Sequence, residues 1–197
     1  MSNSNPSIDP ADNGSLLGSV TFAFKKMMQA VNHMLPATVI NYDRATNRVQ
    51  VQLSVNLVAT DGSQIARPQL ASIPVFVFGG GGFRLSFPLK TGDLGWVIAN
   101  DRDISSFLQS YSQSAPSSPR LFNFSDGVFF PDVMTGLNTI SGADANNVVL
   151  QNDTATISIS LSDTEINIIA PIAVNITTPV LAVTGNITAT GTITPGV

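Results

Sequence analysis

From about Thr139 to Val197 this chain alternates apolar residues with Ser, Thr and Asn, and no lysine or arginine interrupts the pattern. Ile157, Ile159 and Leu161 share one parity. Ile166, Ile168, Ile172, Val174 and Ile176 share the other, and Leu181, Val183, Ile187 and Ile193 return to the first. Successive side chains of a strand point to opposite faces, so each set marks one face. The parity flips near Ser162–Glu165 and near Pro179–Leu181, where corners are needed; Pro171 and Pro179 mark two such corners. Thr164–Pro171 also aligns with Ile172–Pro179 at a period of eight, matching Ile166 with Val174, Asn167 with Asn175 and Ile168 with Ile176. Short strand repeats of this kind indicate a solenoid or an intertwined β-helix.

A single copy of this segment has too little to bury. Its apolar side chains do not offset the entropy of ordering so long a backbone. Its edges lack the lysines that normally discourage strand pairing. A one-chain solenoid takes about 20 or more residues per coil, far above the period here. Winding several chains round one axis resolves both problems, and three-fold symmetry is the economical choice. The expectation for residues 139–197 is therefore an intertwined trimeric β-helix. Its axis would be lined by Ile157, Ile159, Leu161, Ile166, Ile168, Ile172, Val174, Ile176, Leu181, Val183, Ile187 and Ile193.

The rest of the chain has a different texture. All nine Lys and Arg lie at or before Arg120, whereas Asp126, Asp132, Asp144, Asp153, Asp163 and Glu165 follow it. Residues 1–35 read as a polar arm followed by a helix over 15–35. Leu17, Val20, Phe24, Met27, Val31 and Met34 form a seam that suits either packing on the chain's own domain or docking to another protein. Ser15 could cap the helix, and Pro36 lies just past it. Residues 36–110 read as a small closed barrel of the OB type: a hairpin turning at 43–47, strands near 73–78, 83–87 and 94–99, and a short helix or turn at 104–110. Residues 111–138 read as a linker and connector. The fold class expected is all-β with an N-terminal helix.

Little chemistry is legible. The absence of cysteine excludes disulfides and thiolate metal sites. The polar start and lack of long apolar runs predict a soluble, cytoplasmically made protein. A net charge of -4 argues against broad phosphate binding. Gly79 to Gly82 lack the Gly-Lys-Ser/Thr ending of a phosphate loop and read as an inter-strand turn. Asp101-Arg102-Asp103 reads as a solvated turn and His33 as a surface or interface residue. No catalytic residue, cofactor or metal is expected.

Pro36-Ala-Thr-Val-Ile-Asn-Tyr-Asp43 followed by Arg48-Val-Gln-Val-Gln52 resembles the opening of the N-terminal OB domain of the central spike proteins of contractile-tailed phage baseplates. Arg67-Pro-Gln-Leu-Ala-Ser-Ile-Pro-Val-Phe76 with its glycine run, Phe87-Pro-Leu-Lys-Thr-Gly-Asp-Leu-Gly-Trp96 and Asp101-Arg-Asp-Ile104 are similar to later parts of that domain. The likeness covers about residues 30–110; beyond it only the β-helix texture is similar. It implies a non-enzymatic virion protein, a homotrimer attached to a baseplate hub at its N-terminal end and driven through the host outer membrane. Many such spikes end in a His-x-His metal tip. Here the one histidine is His33, so either a blunt apolar tip or a separate capping protein is expected. The competing classes are a receptor-binding fibre or tailspike, disfavoured because residues 139–197 lack aromatics, and an OB-fold nucleic-acid binder with a trimerising tail. Placing Ile168 on the axis predicts that Ile168→Asp abolishes assembly, because three carboxylates would be buried together; size-exclusion chromatography with light scattering reads the outcome.

Overall fold

A computed structural model describes residues 15–59, 62–134, 140 and 142–193; the expected arm over 1–14 lies outside them. The chain divides into two units, Met1–Asn138 and Thr139–Val197.

In the first unit, helix α1 spans Leu16–Ala30, and its start is fixed by Ser15, whose Oγ accepts from the Gly18 amide at 3.0 Å. The helix stops short of the expected 35. Val31 is already extended, and Met34 is the first residue of strand β1 (Met34–Asp43), paired with Ile98. Pro36 disfavours helical backbone at Leu35, and strand pairing takes the segment instead.

Strand β1 turns into β2 (Arg48–Leu53) through polar chemistry. Asp43 accepts from the Ala45 amide at 2.9 Å and from Thr46 Oγ1 at 2.7 Å, and Asn47 takes the left-handed conformation (φ 53°) that closes the turn. The Thr46 hydroxyl and then the Ala45 amide hold the Asp43 carboxyl below its ordinary range. Asn47 also exchanges bonds with Val75: its Nδ2 donates to the Val75 carbonyl at 2.8 Å, and the Val75 amide donates to its carbonyl at 3.0 Å.

Two short hairpins follow in the chain, β3 (Leu57–Val58) with β4 (Gln64–Ile65), and β6 (Phe78–Gly80) with β7 (Phe83–Leu85). Between them lies β5 (Leu70–Pro74). The strand expected at 73–78 is thus divided: β5 ends at Pro74, which has no amide to donate, and Phe78 opens the second hairpin. Gly81 and Gly82, both at positive φ, turn that hairpin. Strand β8 (Leu94–Arg102), helix α2 (Ser105–Ser110) and strand β9 (Leu121–Pro131) complete the unit.

The main sheet has the order β5-β2-β1-β8-β9. A parallel bridge from Val75 to Phe129, with the Phe76 amide donating to the Phe129 carbonyl at 2.8 Å, brings its two ends together into a nearly closed five-stranded barrel. The segment expected to be a connector therefore supplies the fifth strand. Alternation along β1, β2 and β8 buries Ala37, Val39, Val49, Val51, Leu53 and Val97, which meet Ile73, Phe124 and Phe129 in the core. Phe129 is fully buried, and its ring lies where a side chain at Gly95 would stand.

The second unit contains a three-stranded antiparallel sheet: β10 (Val148–Gln151), β11 (Ser158–Leu161) and β12 (Ile166–Ile169). Asn152 organises the first reversal, donating to Thr154 and Thr156 and accepting from the Ile157 amide at 3.0 Å. Ser162 organises the second, its Oγ accepting from the Glu165 amide at 3.1 Å. That reversal lies at the first parity flip. From residue 170 through 193 no strand is formed. The described residues of this unit thus show a three-stranded sheet and not the expected intertwined β-helix.

Phe129→Ala should lower barrel stability by about 3–5 kcal/mol, and Gly95→Ala should also destabilise it, because the Phe129 ring and Phe130 carbonyl cannot both yield. Chemical denaturation measures both. Phe83→Ala, at an exposed position, should change little.

Candidate functional site

Antiparallel register determines which side chains share a face of the second unit's sheet. Val148 pairs with Leu161, which pairs with Ile166; Leu150 pairs with Ile159, which pairs with Ile168. Directly opposite side chains lie on the same face, about 4.5–5.5 Å apart at Cβ. Val148, Leu150, Ile159, Leu161, Ile166 and Ile168 therefore form one apolar patch, and all six are exposed. The opposite face carries Val149, Gln151, Ser158, Ser160, Asn167 and Ile169, with Ser158 and Ser160 buried on the central strand. A monomer would gain by the reverse arrangement, with serine outside and isoleucine covered.

All twelve residues expected on the axis are exposed. The sheet brings together Ile159, Leu161, Ile166 and Ile168. Ile157 lies just before β11, while Ile172, at 96% exposure, Val174, Ile176, Leu181, Val183, Ile187 and Ile193 lie outside strands. The first copy of the repeat carries β12 and the second carries no strand. Val148 and Leu150 were missing from the expected set; the alternation of Val148 and Leu150 with Val149 and Gln151 is their sequence signal, too short to stand out.

A second set of uncovered apolar side chains lies on α1. Leu17, Val20, Phe24 and Met27 are exposed along it, with Leu16 and Met28 beside them. Val31 and Met34 do not extend the seam, since one terminates the helix and the other opens β1. His33 lies between them, its ring 5.6 Å from that of Phe122.

The barrel carries one buried ionic cluster. The sequence pointed to a solvated Asp-Arg-Asp turn, and Asp101 and Arg102 do form an exposed pair at 3.7 Å. Asp103 instead turns inward. Its carboxylate accepts from the Ser105 amide at 2.9 Å, Ser118 Oγ at 2.6 Å and Arg120 at 3.1 Å. Arg120 also donates to Asp126 at 2.8 Å. Both carboxylates are nearly inaccessible, while the arginine is half exposed. Hydrogen bonds from Ser105 and then Ser118 hold the Asp103 carboxyl well below its usual range, with the Arg120 charge adding. Burial pushes Asp126 the other way; Arg120 opposes that shift and the charge of Asp103 adds to it. Among the described residues, no group of three or more His, Asp or Glu could hold a metal ion.

Residues 35–132 match the family described as phage protein Gp138 N-terminal domain. The match runs from β1 to the end of β9, the extent of the five-stranded barrel, and supports a phage structural protein. No curated protein matches the chain. Arg120→Met should lower stability by leaving two buried carboxylates without their shared cation. The Arg120 charge acts to lower both carboxyls, so the stability it contributes is present while they are ionised and fades as pH falls through their folded values. The deficit of the variant against wild type should therefore narrow in acid, as read by thermal unfolding across pH.

Proposed function

We propose that this phage structural protein is the central spike of a contractile-tail baseplate, a homotrimer driven through the host outer membrane when the sheath contracts. The observation that carries the reading is the second unit's exposed apolar face, followed by a run of exposed Ile, Val and Leu with no basic residue. Three copies bring such faces together on one axis, and each unpaired strand edge gains a neighbour. The family match over the barrel supports the phage setting.

In this reading residues 139–197 become a close-packed β-helix whose stiffness comes from paired strands and a dry core. The exposed seam Leu17, Val20, Phe24 and Met27 of α1 docks to the hub. The role is mechanical, without catalysis, cofactor or nucleic acid, and the protein sits in the virion at the baseplate. With no histidine in the second unit, a separate capping protein is the proposed partner at the spike's far end.

Light scattering on the purified protein should give the mass of three 20.7 kDa chains; a stable monomer would overturn the reading. Antibody labelling of virions should mark the distal end of the tail under the baseplate. Label on lateral fibres would instead assign the protein to receptor binding.

A further inference from the structure

Between β8 and β9 the chain makes an excursion, residues 103–120, built from α2 and a Ser-rich loop. It carries two exposed aromatics, Phe107 and Tyr111, whose rings meet at 5.9 Å. Besides the backbone bonds of α2, hydroxyl bonds from Ser105 and Ser106 to Ser117 tie it internally. The excursion is fastened at its base by Asp103 through Ser118 and Arg120, and Arg120 reaches on to Asp126 of β9. The Asp126 carbonyl accepts from Asn100 of β8. Asp126 Oδ2, however, is buried with no hydrogen-bond partner. A buried ionised oxygen without a donor is costly, and a proton on the carboxyl removes the uncompensated charge.

We infer that Asp126 and Asp103, bridged by Arg120, latch the 103–120 excursion onto β9, and that the latch tightens when Asp126 takes up a proton. Two carboxylates served by one guanidinium leave the cluster one positive charge short. A proton on Asp126 supplies it and relieves repulsion from Asp103. The raised affinity of Asp126 for a proton agrees, because burial and the charge of Asp103 both act in that direction. The sign follows. A carboxyl whose pKa is higher in the closed latch than in the open one favours closure as pH falls through the closed value, and that support is lost as pH rises above it. The charged groups around the cluster are Asp103 and the Asp101–Arg102 pair from β8, and Arg120 before β9. On β9 itself, His33 lies against Phe122 and the Arg67 guanidinium 5.8 Å from the Phe124 ring centre. Phe122 takes a left-handed conformation (φ 47°) at the strand's start, its carbonyl held by Asn32 at 3.0 Å. Strain is thus stored at the start of β9, two residues from Arg120.

Hydrogen exchange on the full-length native protein, corrected for intrinsic rates, tests this. Amides of residues 105–119 should gain about tenfold protection for each pKa unit by which closure raises Asp126, between about pH 7 and about pH 4, where the ordinary carboxyl range begins. Asp126→Asn, which mimics the protonated state, should protect the segment equally at both pH values. His33→Gln should leave the wild-type dependence intact. Equal protection of wild type at both pH values overturns the latch, and so does an Asp126→Asn variant that keeps the wild-type dependence. A wild-type dependence abolished by His33→Gln assigns the titration to the imidazole and overturns it too. The wild-type measurement decides even if a variant fails to fold, and none of these outcomes depends on the spike assignment.

Discussion

The barrel depends on one contact, the Phe129 ring lying over the bare backbone of Gly95. It brings β9 beside β8 and puts the largest fully buried side chain into the core. The same residue's backbone meets Val75 and Phe76 and so draws the two ends of the sheet together. Without that strand the remaining four leave an open edge and an uncovered interior. The family match ends at residue 132, where the strand that closes the barrel has just been completed.

The second unit obeys the opposite logic. Its strands are well formed locally, with Asn152 and Ser162 satisfying the backbone at both reversals. Their chemistry nevertheless places isoleucine, leucine and valine on an uncovered face and buries two serines. Local hydrogen bonding and hydrophobic burial therefore disagree within one chain. Natural sequences keep such levels consistent, and the proposed association would reconcile them by covering the apolar face.

The two units also differ in how they use charge. The second has acidic groups only, dispersed along the chain. The barrel concentrates its buried charge at one place, where Arg120 spans Asp103 and Asp126. Two carboxylates that share one arginine shift in opposite directions because Ser105 and Ser118 donate to Asp103, whereas burial dominates at Asp126.

By itself the sequence determined the periodic features. Strict alternation marked β2, the Asp43–Asn47 turn was readable from its residues, and the parity flip at Ser162–Glu165 marked a reversal before any register was known. Ser15 signalled the start of α1, while its end at Ala30 reflects competition from β1, whose partner is sixty residues away. Only the tertiary structure decided that Leu121–Pro131 is a barrel strand, that Asp103 turns inward to meet Arg120 and Asp126, and that Val148 and Leu150 join the apolar face. The reason is the same in each case. Alternation and turn chemistry act between neighbours in the chain, whereas strand pairing and the burial of a charge depend on residues that only folding brings together.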